Sequence, residues 1–192
     1  MMKYFPLILT LTGMLLSLWA LPSIAVEVNP SAEMIDGAIK DGDTNRESQG
    51  IEGTTNRFGK YDSICGGWGF LQTKLWNVRE TSKGNARKMK ATQAIDIEQY
   101  LSAKTMLVTY AFCSISFKPT DHHVVLKQGN RVVQPVKVSV SRPEYVSSNT
   151  YMHTVQAHFS YDSFDPIAET ILIVIPSVEE KREYGLNLAE YR

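Results

Sequence analysis

The chain has 192 residues, with 20 Lys plus Arg against 20 Asp plus Glu, 43% hydrophobic residues and an isoelectric point near 6.9. That length suffices for one domain with a core of its own. The even charge balance leaves no electrostatic case for nucleic acid or for an anionic membrane surface.

Residues 1–25 read as a secretory signal peptide. Lys3 provides the positive start, Leu7 to Leu21 are mostly apolar, and Ser23 and Ala25 set small residues before a cleavage point after Ala25. The apolar run is shorter than the roughly 20 residues that span a bilayer, and no stop-transfer flank follows. Lys3 is the only charged residue of the segment, so its removal takes the net charge from zero to −1. The mature product is expected in the periplasm or outside the cell, with no stable membrane insertion after cleavage.

Residues 26–60 are polar and rich in turn formers, among them Asp41-Gly42-Asp43, Gly53 and Gly59. Apart from Phe58 they hold no aromatic residue, so a mostly disordered arm is expected. Ser31 to Lys40 is an exception: Met34, Ile35, Ala38 and Ile39 share a helical spacing behind a Ser31 cap, in a segment short enough to be marginal alone.

Residues 61–192 read as a β domain. Trp68 to Glu80 is expected to form one or two strands, followed by a turn over Thr81 to Asn85. Ile95 to Ser102 is a short helix. Lys104 to Phe117 is the strongest strand, β-branched and aromatic throughout. One face carries Met106, Val108, Tyr110 and Phe112, the other Leu107, Ala111 and Cys113, so the strand belongs at the centre of the fold. His123 to Lys127 and Arg131 to Val140 flank the hairpin signal Gly129-Asn130, and Pro135 places the second arm at an edge or a bulge. Tyr151 to Tyr161 alternates strictly. Thr170 to Ile175 is a buried strand by composition, and Tyr184 to Tyr191 closes the chain. Seven to nine short strands with turns between them predict an all-β, antiparallel sandwich.

Cys65 and Cys113 are the only cysteines, and both lie in the exported part. An even count in an oxidising compartment predicts a disulfide between them. Cys65, Trp76 and Cys113, in that order, resemble the immunoglobulin pattern of two cysteines and a tryptophan. Ala111 stands where that family places a tyrosine, and several strands follow Cys113, so the resemblance implies an immunoglobulin-like architecture and no receptor or antibody function. Signal and strand pattern together also resemble the small immunoglobulin-like β-sandwich proteins that bacteria export.

Candidate chemistry is sparse. Cys65 precedes Gly66-Gly67-Trp68-Gly69, a turn in which a thiol can act as nucleophile with a base from His122, His123, His153 or His158; the competing reading bridges Cys65 to Cys113 and gives the glycines a packing role. Asp121, His122 and His123 are metal-capable, yet neighbours on a strand point to opposite faces. Lys83, Arg87, Lys88 and Lys90 form a basic cluster around the expected turn. Trp68 and Trp76 are candidate stacking residues for a glycan, and core aromatics otherwise. No catalytic, metal or cofactor residue is assigned. The function expected is non-enzymatic binding of a protein or glycan partner. A cysteine- or metal-dependent enzyme using Cys65 and the histidines, and a structural subunit of an envelope assembly joined by strand addition, are the alternatives.

Overall fold

The computed structural model describes residues 26–48, 56–60, 65–114, 122–147, 149–175, 181–188 and 191. The expected signal segment, with its cleavage point after Ala25, lies outside them. Among the described residues, ten strands form two antiparallel sheets, accompanied by three short α-helices. The first sheet contains β1 (Arg57–Gly59), β2 (Trp68–Gln72), β3 (Thr105–Ser114), β8 (Thr150–Ser160) and β6 (Lys137–Val140) in that spatial order, with β7 (Glu144–Ser147) also pairing with β8. The second sheet runs β10 (Arg182–Leu186), β9 (Thr170–Ile175), β4 (His123–Gln128) and β5 (Arg131–Val133).

Strand alternation builds the core. Met106, Val108, Tyr110 and Phe112 of β3 and Val155, Ala157 and Phe159 of β8 are buried with Val124, Leu126, Leu172 and Val174 of the second sheet in one continuous cluster. Each large apolar side chain withdrawn from water there contributes about 1.5–3 kcal/mol. The strand expected at the centre, β3, is paired along its length with β8 and also with β2.

Between Trp68 and Glu80 only the first part is strand. Thr73 caps a helix, α2 (Lys74–Arg87), its Oγ1 accepting from the Trp76 N–H at 3.1 Å. Leu75, Val78 and Ser82 then recur at helical spacing and are buried, so helix replaces both the expected second strand and the turn. Lys74 holds its Nζ 5.4 Å from the centre of the Tyr161 ring, and burial, then Lys104, lowers its pKa. Burial likewise pushes the Tyr161 phenol up to about 12. The expected short helix is present as α3 (Ala94–Leu101), where the Asp96 carboxylate accepts from the Gln93 N–H at 2.9 Å.

Residues 26–60, expected as a mostly disordered arm, carry more structure than their composition indicates. α1 (Ala32–Thr44) starts at the anticipated Ser31 cap and packs against α2. Gly42 lies so close to α2 that a Cβ there would collide with the Arg79 carbonyl and approach Ser82 Cβ to 2.8 Å. Ser82 Oγ donates to Ile39 O at 2.9 Å, and Arg87 donates to Arg46 O at 2.7 Å and Ser48 O at 2.6 Å. A helix marginal in isolation is thus stabilised by tertiary contacts, which local composition does not encode. Val26 is buried in the sandwich core, and Phe58 joins it through β1.

The Gly129-Asn130 hairpin joins β4 to β5, and Gly129 has φ +56°. Its second arm does not continue to Val140 in the same sheet. β5 ends at Val133, the chain passes through Gln134 and Pro135, and β6 joins the other sheet beside β8. Proline has no N–H for a ladder, which suits this crossing.

Candidate binding cleft

Phe58 on β1, Tyr110 on β3 and Tyr184 on β10 meet where the edges of the two sheets approach each other. The Phe58 and Tyr184 ring centroids are 5.2 Å apart, and Tyr110 and Tyr184 are 5.9 Å apart. Arg182 Nη1 donates to Tyr110 Oη at 2.9 Å, the two tyrosine hydroxyls are 3.3 Å apart, and Tyr184 Oη donates to Gly67 O at 3.1 Å. Gly67, at φ +71°, permits this knot: a Cβ would collide with the Arg182 guanidinium and stand 2.9 Å from Tyr110 Oη. Gly69 likewise admits the Phe58 ring against β2. Gly67 and Gly69 therefore have the packing role anticipated for the glycines after Cys65.

Outside this knot lies a cleft of about 540 Å³, lined by Arg57, Phe58, Lys60, Glu183, Tyr184 and Tyr191 and by the backbone of Gly59, Gly66, Gly67 and Gly185. Tyr191 Oη donates to Arg57 O at 3.1 Å, holding Tyr191 against β1. Burial, then the bond to Tyr184, raises the Tyr110 pKa far above the usual phenol value despite Arg182. Tyr110 therefore remains a neutral donor and acceptor. Lys181 pairs with Glu183 and holds its carboxyl below the ordinary range. The rim thus offers anionic Glu183 and cationic Arg57 and Lys60 above an aromatic wall, an arrangement that recognises by shape, stacking and hydrogen bonds.

Cys65 and Cys113 are bridged, with Cα atoms 4.8 Å apart across 48 residues of sequence. The bridge ties the approach to β2 to the end of the adjacent strand β3. It therefore lies along one sheet, and Trp76 lies on a helix, so the Cys–Trp–Cys order does not generate a cystine closed between sheets over a tryptophan. Cys65 is oxidised and is no thiolate here.

The four histidines fall in three places. His122 and His153 pack on the Phe112 ring, with centroids 4.9 and 5.3 Å away, and His153 is fully buried. His123 is exposed at the start of β4. His158, toward the other end of β8, has Nδ1 3.4 Å from Thr105 Oγ1, and burial, then Lys137, lowers its pKa. Asp121 lies outside the described residues, and among those described no group of three or more His, Cys, Asp or Glu is placed to hold a metal.

Trp68 pairs with Ala111 in the sheet, and Trp76 on α2 rests 5.7 Å from the Phe70 ring. Both are half-buried, and neither lines the cleft. Of the basic cluster, Lys83 is buried near Glu80 and Arg87 holds the end of α1, while Lys88 and Lys90 are exposed. Sequence reasoning singled out Gly66 and Gly67 but not Arg57, Glu183 or Tyr191, which only the tertiary fold brings beside them. Compared with known proteins, the chain matches no family model and no curated sequence. Among the described residues, no helix is long and apolar enough to cross a membrane.

Proposed function

We propose that this is an exported, non-enzymatic β-sandwich protein that binds a protein or glycan partner in the cell envelope or outside it. Its sandwich is of the immunoglobulin-like kind that bacteria export. The cleft beside the cystine carries this reading: a preformed aromatic wall, flanked by charged groups and approached closely because glycines line it, suits a saccharide face or an inserted partner side chain. The cystine supports passage through an oxidising compartment. The two facing sheets with one shared core support the architecture.

The test is binding of an oligosaccharide panel to the oxidised protein, followed by NMR. Shifts confined to Tyr184, Tyr191 and Gly67, reduced by Tyr184→Ala, are the expected result for a glycan; for a protein partner, Tyr184→Ala weakens its capture. Two thiols titrating without reductant, or zinc or copper found by elemental analysis, would favour the cysteine- or metal-dependent enzyme instead.

A further inference from the structure

At the edge of the first sheet opposite the cleft, the core pattern continues past its cover. Val138 pairs with Ala157 and Val140 with Val155, both buried, so the two valines face the side of the sheet that carries the core. Yet Val138 is 39% and Val140 36% exposed, and Val136 just before them is 64% exposed. The second sheet stops short, ending in the three-residue strand β5.

The backbone of this edge is open as well. Ser141 N–H donates to Thr154 O at 2.8 Å. In an antiparallel ladder alternate residues bond the neighbour, so Ser139 and Lys137 also face β8, and Val138 and Val140 direct their N–H and C=O groups outward. Among the described strands, none but β8 pairs with β6.

The charge at this edge is mainly positive, with the exposed Glu144 at the start of β7 the exception. Residues 122–143 contain Lys127, Arg131, Lys137 and Arg142 and neither Asp nor Glu. Glu183 interacts with Lys127, but no ion pair among the described residues involves Arg131, Lys137 or Arg142. A second copy added at this edge would bring like charges together, whereas an acidic strand would meet complementary ones. We infer that β6 is a docking edge for an extended segment of a partner protein in which acidic and apolar residues alternate. The segment bonds Val138 and Val140 through its backbone and packs its apolar side chains beside their exposed faces. This surface is independent of the cleft.

The test uses an N-acetylated, C-amidated Glu-Val-Glu-Val-Glu-Val-Glu peptide, its Lys-Val counterpart, and the full-length mature protein in its oxidised form. The acidic peptide should bind, weaken as salt rises, and exceed the basic one by at least about tenfold. Val138→Pro removes an outward N–H and an exposed valine side chain while sparing every bond to β8, and should weaken binding at least about tenfold. Lys137→Glu with Arg142→Glu, both exposed, should abolish the preference for the acidic peptide, and decides the matter if the proline variant does not fold. Failure of the acidic peptide to bind, equal binding of both peptides, unchanged binding to a folded Val138→Pro variant, or self-association through this edge in sedimentation would each overturn the assignment.

Discussion

The two flanks of the sandwich obey the same strand alternation and end differently. On the flank of β1 and β10, side chains tie the edges together: Arg182 reaches Tyr110, Tyr184 reaches Gly67, Tyr191 reaches Arg57, and the cystine joins Cys65 to the end of β3. On the flank of β5 and β6, valines in phase with core residues are exposed, and Lys137 and Arg142 bracket them in sequence. Alternation decides which face a residue occupies; burial follows only where the opposite sheet extends far enough to cover it. One flank thus encloses a shaped cleft, and the other leaves an edge.

The contrast can be broken most strongly at the bridge. Replacing both Cys65 and Cys113 by Ser should cost about 4 kcal/mol in a urea titration, the loop-closure entropy of the 48-residue separation. A loss under about 1 kcal/mol would mean that the flank closes without the bridge. Gly67→Ala comes next, at about 1–3 kcal/mol, from left-handed backbone strain plus collision with Arg182 and the two tyrosine hydroxyls. Gly129 also has positive φ but has open space around its Cβ position, so Gly129→Ala should cost only the strain, about 1 kcal/mol. Comparing the two unfolding midpoints separates packing from conformation.

On the open flank, Val138→Thr with Val140→Thr should change stability by no more than about 0.5 kcal/mol, since solvent already reaches both residues. A larger loss would show that the edge is covered. The smallest effect is at His158. Its folded pKa is lowered by burial and Lys137, so below the ordinary value near 6.5 the unfolded chain takes up the proton first. Its contribution is full above that value and is lost as pH falls from there toward the lower folded pKa. His158→Gln should flatten the fall in thermal midpoint over that window and leave the curve above pH 7 unchanged.

Much of the sandwich is legible in the sequence, because β3, β8 and β9 have periods and compositions set by a two-sheet core. The cystine is legible too, from the even cysteine count and the expected compartment. α2 is not, since Thr81, Ser82, Gly84 and Asn85 are poor helix formers and read as a turn. The Thr73 cap and the spacing of Leu75, Val78 and Ser82 were the available signal. α1 is half legible: Ser31 marks its start, but its length depends on Gly42 meeting α2. The cleft is least legible, because Phe58, Gly67, Tyr110 and Tyr184 come from four distant segments and converge only through strand order.

The most direct measurement is the intact mass and N-terminal residue of the protein recovered from the cells that make it, after alkylation without reductant. Export followed by oxidation predicts a chain beginning at Val26, lighter than its reduced sequence by two hydrogens, with neither Cys65 nor Cys113 alkylated. Retention of residues 1–25, or alkylation of both cysteines, would contradict it.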